Sequence, residues 1–484
     1  MGVEVFRHAR RRSRFHSLDA KTRVDASWKP EDADQRTAKR ARLSDAGDAE
    51  WQHARNRPDK DPHRRMTTLT CEYGNTTLTA AVHDERLAAV RVPKSVAALR
   101  DPRAAITAAL EHPLDSPSFA ELIRPARSLL VVTVDRTRPS PAALLQPLLA
   151  ACAAQGTSVT ICIATGHHRK MTAPELDQHL GSEIARAYPI EQHDAFDDAL
   201  FDDRGVTSFG TRIRVNRIVY QHDLVVGVGW IEPTYLCGFS GGRKIIMPGL
   251  AHHTDIDDNH FMLLAQGPLP GQLAGNRMSE DCEEFARRVP FHFILNAVVN
   301  DEDQPVAVVA GNPFSAHRKG CDLSAEIFGA APVTADIVIS SPGGHPYDTD
   351  LVQGKKGILP AQQAVAQGGV IILIAACPEC FGAEKDFIHW LRTYPPEVIT
   401  QRVHERIHFT LGAHGANVMA KPVVQKGATI ILVADEPMRT QVEGTFIRTA
   451  PDLESALRMA TAARGSASTI ALLRKSRRLF LRQA

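Results

Sequence analysis

Ser128-Leu-Leu-Val-Val-Thr-Val-Asp135 is an apolar run of strand length that stops at a carboxylate. Pro141 to Cys152 follows as an apolar stretch of helical length. Ser158-Val-Thr-Ile-Cys-Ile-Ala-Thr165 repeats the strand, and Ala173 to Leu180 repeats the helix. Continuous apolar strands alternating with helices argue for a parallel sheet covered on both faces. A third run, Asp223-Leu-Val-Val-Gly-Val-Gly-Trp230, fits the same sheet. Ligands of such sheets bind beyond the carboxyl ends of the strands, so the residues just after each strand matter most. They read Asp135-Arg-Thr-Arg138-Pro139, Thr165-Gly-His-His168-Arg169 and Ile231-Glu-Pro-Thr234. Asp135 with Arg138 alone reads as an ordinary ion pair, and a lone His-His is more often structural than catalytic. Three strands that deliver acid, base and glycine chemistry to one edge are harder to dismiss.

The third strand runs into Cys237-Gly-Phe-Ser-Gly-Gly-Arg-Lys-Ile-Ile-Met-Pro-Gly249. Glycines at a strand end let backbone approach a ligand closely, and successive amides can face an anion. Lys244 can add a point charge or, if desolvated, a nucleophilic amine. The stretch is neither a Walker loop nor a GxGxxG fingerprint. On its shape alone a tight turn with a solvated lysine is an equal reading. His252, His253 and Asn259-His260 follow.

Outward from this core, Leu69 to Leu78 reads as a hairpin turning at Gly74-Asn75. A helical stretch around Ser95, Ala97 and Ala98 is expected next, then a helix from Pro102 to Leu110. Phe291 to Asn300 and Gln304 to Ala310, separated by Asp301-Glu-Asp, read as an antiparallel hairpin. A second α/β set begins at Ala335-Asp-Ile-Val-Ile-Ser-Ser-Pro-Gly-Gly344, with buried strands at Gly368–Ala376 and Ala428–Ala434. The expected fold is therefore α/β, with two α/β domains of largely parallel sheets. The expected boundaries are a first domain over 66–332, a second over 333–450, and a C-terminal region over 451–484 whose basic amphipathic helix, about 452 to 482, packs back. Residues 1–65 hold the basic clusters Arg7-His-Ala-Arg-Arg-Arg-Ser-Arg14 and Lys39-Arg-Ala-Arg42 without aliphatic periodicity, so they are expected to be disordered. A nucleic-acid arm or targeting segment competes there with a tail without function or a start at Met66. Composition alone supports the arm, so the second reading is preferred.

The 484 residues are ample for two cores, and a net charge of +2 argues neither for nor against nucleic acid. No apolar run approaches a membrane span and no signal peptide is visible. The eight cysteines are few for the length and several sit in strand-like runs. They read as reduced thiols of a cytoplasmic protein. Cys377-Pro-Glu-Cys380 is a lone CxxC at a strand end, more simply core than redox or metal site.

Taken in order, these pieces resemble the lactate racemase family, whose members carry a nickel-pincer nucleotide. The matching residues are Asp135-Arg-Thr-Arg138-Pro139, Gly166-His-His168-Arg169, Ile231-Glu-Pro233, Gly238-Phe-Ser-Gly-Gly-Arg-Lys244 with Pro248-Gly249, Asn259-His260, and Gln353 with Lys356. The resemblance implies a pyridinium mononucleotide with two sulfur-bearing arms and a nickel ion, covalently anchored at Lys244 by a thioamide. It implies His260 as a nickel ligand, a role that suits imidazole. Asp135, Thr137, Arg138, Ser240, Gly241 and Gly242 match positions around the nucleotide. His168 matches one of two acid/base histidines. Gln353 and Lys356 match residues that reach the substrate carboxylate or the pincer sulfurs, and Arg138 is also expected at the substrate. The implied active site lies in the cleft between the domains. The implied chemistry is racemisation or epimerisation of a 2-hydroxy acid by hydride transfer to the cofactor while a histidine takes the hydroxyl proton. The implied partners are a small hydroxy acid and the enzymes that make the cofactor; no membrane or nucleic-acid partner is expected.

One position departs from the family. The second acid/base histidine would stand ten residues before Lys244, and Thr234 stands there. A threonine hydroxyl is a poor base at neutral pH. Glu232, Tyr235, His167 or a water held by Thr234 could replace it. Alternatively the substrate needs one base, the reaction is a one-sided redox or elimination step, or the protein holds the nucleotide without turnover.

Overall fold

Three neighbouring strands set the geometry of the molecule: Leu224–Ile231, Ser128–Val134 and Ser158–Ala164, all parallel. Each is apolar on both faces because helices cover both, and nearly every residue in them is buried. The helix Ala142–Gln155 and the short helix Phe119–Ile123 cover one face with Leu145, Leu148 and Phe119. The segment Ile245–Ala251 and the helix Arg277–Arg287 cover the other. Burial of each Val, Leu or Ile side chain is worth about 1.5–3 kcal/mol, which fixes the strand assignment more firmly than local propensity. Phe293–Val299 extends the sheet in parallel beside Leu224–Ile231, and Pro305–Gly311 closes that edge antiparallel. Ile190–Gln192 forms the opposite edge.

The structure, a computed structural model, describes residues 65–266, 270–382, 384–405 and 410–482. The expectations for the N-terminal extension fall on residues outside this range, apart from Arg65. Residues Arg65–Ala484 form one compact unit.

A second six-stranded sheet is parallel throughout, in the order Arg448–Ala450, Thr429–Val433, Val365–Ile374, Ala335–Ser340, Ile470–Leu473, Leu87–Arg91. The hairpin Met66–Tyr73 and Thr76–His83, turning at Gly74-Asn75 as expected, packs Leu69, Cys71, Ala80 and Val82 on this second sheet. The chain thus begins at the second sheet, crosses to build the first, and returns. Both sheets and their largely parallel order agree with the α/β expectation.

Two expectations are corrected. The stretch around Ser95, Ala97 and Ala98 is not helical. It runs between Pro93 and Pro102, and its amides pair at long range: Lys94 with the Ile327 carbonyl at 2.7 Å and Leu99 with the Pro305 carbonyl at 2.9 Å. A segment whose amides are satisfied by distant backbone carbonyls has no need of helical bonds. The C-terminal helix spans only Leu453–Arg464 and stops at Gly465, whose φ of 92° lies in the left-handed region. Ile470–Leu473 then enters the second sheet between two parallel strands. The basic residues that suggested a continuing helix face, Arg474 to Arg478, lie in the loop after that strand.

Candidate active site

Because the three strands are parallel and adjacent, Asp135, the His167-His168 turn and Glu232 emerge at one sheet edge. Asp135 is buried, and His168 Nδ1 donates to its Oδ2 at 2.6 Å. The Thr137 amide donates to Asp135 Oδ1 at 3.0 Å, and the Thr137 hydroxyl donates to the same oxygen. Burial pushes the Asp135 carboxyl up, but the bonds from His168 and Thr137 outweigh it and hold the group below its ordinary range. The carboxylate fixes the tautomer of His168, so Nε2 carries the lone pair on an exposed ring. Arg169 is taken up in a two-point pair with Glu175 at 2.8 and 2.6 Å.

The opposite flank is built differently. The Thr234 hydroxyl accepts the Leu236 amide at 3.2 Å, and Thr234 pairs with Gly238 in a two-residue ladder. Glu232 is paired with Arg478 and lies 3.5 Å from Arg138 Nε. Burial raises its carboxyl, yet Arg478 first and then Arg138, Arg477 and Lys356 bring it below the ordinary value. Tyr235 is pushed up to about 12 by burial, and its ring stacks on His414 at 5.5 Å between centroids. His167 Nε2 donates to the His253 carbonyl at 3.1 Å. Each group expected to replace the second histidine is thus engaged in a contact of its own.

The Ser240-Gly241-Gly242 turn corrects one expectation. The Ser240 amide donates to the Glu232 carbonyl and the Gly242 amide to Asn296 Oδ1, both at 2.9 Å, so these amides are not aligned toward an anion. The Ser240 hydroxyl is equally committed, donating to the Trp230 carbonyl and accepting the Glu232 amide. Gly242 has a φ of 52°, and a Cβ there would come within 2.3 Å of the His317 ring. That close approach, not anion binding, requires glycine. Arg243 is 1% exposed; it donates to His317, to Ser279 Oγ at 2.6 Å and to the Cys237 carbonyl at 3.0 Å. The arginine is the buried pin of this turn, and Lys244 is carried next to it.

Lys244 faces a distinct set of groups. Its ammonium acts on His260, His317 and Cys237. Burial raises the Cys237 thiol, but bonding from Cys282 and the charges of Lys244 and Arg243 pull it down to about 5, with Cys282 pushed up in compensation. Burial first, then Lys244, lowers His260 to about 3, so the ring is neutral. Its Nδ1 therefore donates to the Ile256 carbonyl at 2.8 Å, and Nε2 carries the lone pair. Asn259 beside it is structural, bonding Asp281 at 2.7 Å. His252 pairs with Asp198 at 2.8 Å, and His253 stacks on Phe196 with centroids 4.8 Å apart. All eight cysteines, Cys377 and Cys380 included, are free thiols.

The second sheet contributes from across the cleft. Lys356 Nζ donates to Gln353 Oε1 at 2.7 Å. Burial lowers Lys356 to about 8, with Glu232 raising it and Arg138, Arg477 and Arg478 lowering it further. Lys356 thus shares one electrostatic neighbourhood with Arg138 and Glu232 from the first sheet. Sequence reasoning missed the loop that locks the two sides together. Arg478 pairs with Glu232 and Asp303, Arg477 with Asp303 at 3.2 Å, and Lys475 with Asp301. The only signal in the sequence was the basic run Arg474 to Arg478 opposite the acidic Asp301 to Asp303 turn.

Residues 73–268 match the lactate racemase N-terminal domain and residues 330–476 the lactate racemase C-terminal domain. The lactate racemase of Thermoanaerobacterium thermosaccharolyticum is 30% identical over 405 residues, 82% of this chain and 94% of that protein. The lactate racemase of Lactiplantibacillus plantarum is 28% identical over 418 residues, 84% of this chain and 98% of that protein. The lactate racemase apoprotein structure from T. thermosaccharolyticum shares the architecture with a TM-score of 0.78 at 29% identity, covering 86% of this chain and 100% of that one. A Thermotoga maritima protein structure shares the fold alone, with a TM-score of 0.54 at 20% identity over 72% of this chain and 91% of that one. The chain belongs to the lactate racemase family and is an isomerase of the racemase type.

Proposed function

We propose that the protein is a nickel-pincer-nucleotide-dependent racemase or epimerase of a small 2-hydroxy acid, with His168 as acid/base. The observation that carries this reading is the 2.6 Å bond from His168 to buried Asp135 at the edge that Arg138 and Lys356 also reach. The donor set fits the cofactor. Among the described residues no three His, Cys, Asp or Glu side chains converge as a metal cage. A nickel ion here would therefore take its remaining ligands from an organic group. His260 Nε2 suits the protein's share, since its Nδ1 is fixed on the Ile256 carbonyl, as metal-binding histidines require. Lys244, adjacent in charge to His260, would hold the group covalently. When bound, the cofactor supplies an acceptor and donor for the substrate's C2 hydrogen as hydride.

The chain's own groups do the rest. Arg138 and Lys356 bind the substrate carboxylate, and Gln353 orients the Lys356 ammonium. His168 Nε2 takes the hydroxyl proton, and Asp135 stabilises the imidazolium that forms. Asp135, Thr137, Ser240, Gly241 and Gly242 shape the wall against which a nucleotide would lie. Lactate is the first substrate to test, because the curated relatives are lactate racemases.

Thr234 favours a second reading, a one-sided redox or elimination reaction with the same cofactor. The equilibrium constant of a racemisation is one, so a racemase must have equal kcat/KM for both enantiomers. Enzyme from a host that makes the cofactor should carry a mass adduct and about one nickel per chain, both lost in Lys244→Ala. Lack of both in the parent protein would sink the cofactor assignment. Unequal kcat/KM for the two enantiomers would instead leave the one-sided reaction standing.

A further inference from the structure

The helices Pro396–His404 and Leu411–Lys426 pack side by side through Ile399 and Val403 of the first and Ala413, Ala416 and Ala420 of the second, and a polar set of residues lies beside this apolar seam. Thr400 and His404 lie one turn apart on the first, and Asn417, Lys421 and Val424 follow one face of the second. With Gln401 they line a cavity of about 300 Å³ that opens to the surface, where Gln401, His404 and Val424 are exposed. Asn417 and Lys421 are the buried polar residues of this set, and buried polar groups call for partners. Lys421 is 7% exposed, and among the described residues no carboxylate pairs with it. Burial lowers its ammonium below the ordinary lysine range. Asn417 is 4% exposed and its Oδ1 has no hydrogen-bond partner; Thr400 Oγ1 has none either. Glu397 also borders the cavity, but its side chain is exposed.

These polar groups differ in what they can bind. A buried ammonium wants an anionic oxygen. Asn417 Oδ1 accepts only, so it wants a donor. The Thr400 hydroxyl can give or take. We infer that the cavity between these two helices is a binding site for a small hydroxylated carboxylate, its carboxylate on Lys421 and Thr400 and its hydroxyl donating to Asn417. Both helices lead from the cavity toward the candidate active site. His414, at the start of the second helix, stacks on Tyr235 beside Thr234. His404, at the end of the first, faces the ring of Phe261 beside His260 at 6.3 Å between centroids. The proposal depends on neither the cofactor nor the reaction, and it stands or falls separately from both.

The test is calorimetric titration of the full-length Lys356→Met protein, in which carboxylate binding at the cleft is weakened. Glycolate should bind one-to-one, acetate at least about tenfold more weakly for want of the hydroxyl, and 1,2-ethanediol not at all. Adding Lys421→Met should abolish the glycolate isotherm while raising the unfolding temperature, because a lone buried charge is removed. Adding Thr400→Val in a separate protein should weaken glycolate several-fold and leaves the question decidable if Lys421→Met does not fold. No glycolate binding in the Lys356→Met protein, acetate binding as tight as glycolate, or an isotherm unchanged by both added substitutions would overturn the proposal.

Discussion

His168 and Thr234 follow strands on either side of the strand that ends at Asp135, and they are equipped in opposite ways. On one side an exposed imidazole rests on a buried carboxylate that pairs with no lysine or arginine among the described residues. On the other, the carboxylate Glu232 is held by Arg478 and Arg138, and the nearby hydroxyl of Thr234 already accepts a backbone amide. The difference teaches that a carboxylate at a strand end can serve either of two ends. Unpaired with a cation, it orients a proton carrier; paired, it places positive charge for an anionic substrate. In the proposed reaction one flank would handle protons and the other charge.

The largest expected effect tests that division directly. In cofactor-loaded enzyme, His168→Ala should lower the rate of racemisation by about 10²- to 10⁴-fold, the usual worth of a positioned acid/base. Thr234→Ala should cost about tenfold or less, because the hydroxyl serves the Leu236 amide. The rate at which one enantiomer is converted to the other, started from each in turn, reads both. Equal losses in the two variants would break the comparison and make Thr234, or a water on it, the second proton carrier.

A smaller effect sharpens the imidazole side. Asp135→Asn keeps the shape but exchanges an acceptor for an amide that can present its NH₂ to His168. An outer partner of this kind is worth about 10- to 100-fold. The loss should fall on kcat rather than KM, since Asp135 does not touch the substrate. A loss confined to KM would mean that Asp135 serves binding and that His168 needs no orienting partner.

How far the sequence could be read follows the same division. The strands Ser128–Val134, Ser158–Ala164 and Leu224–Ile231 were legible because burial on both faces leaves an uninterrupted apolar run. The places of Asp135 and His168 at neighbouring strand ends were legible, since parallel order alone brings those ends together, but their hydrogen bond was not: the local spacing suggested Arg138 as the partner of Asp135, and Arg138 lies on Glu232 instead. Arg478 was not, because its partners Glu232 and Asp303 lie far away in sequence and no periodicity reports a pair at that range. Ile470–Leu473 was hidden by the basic loop behind it, which continued the helical pattern of Leu453–Arg464. Ser240 and Gly242 illustrate a subtler limit: the composition of the turn was correct for amides facing an anion, but only the structure shows Glu232 and Asn296 taking those amides.

The smallest expected effect concerns the charged side. Burial, reinforced by Arg138, Arg477 and Arg478, lowers Lys356 to about 8. Below that pH the ammonium is present and the substrate carboxylate has its counter-charge; above it the proton leaves and the attraction goes with it. KM for a hydroxy acid should therefore be flat below about pH 8 and rise above it, by up to about tenfold per pH unit, while kcat changes less. Arg478 is one of the cations that hold this value down, so Arg478→Gln should move the rise in KM to higher pH. The same substitution frees Glu232 to act on Lys356, which pushes in the same direction. A KM profile that stays flat past pH 9 in the parent enzyme would remove Lys356 from substrate binding. A rise that shifts to lower pH in Arg478→Gln would mean that the arginine supports the lysine's charge instead of opposing it, and the charge-handling flank would have to be redrawn around Arg138 alone.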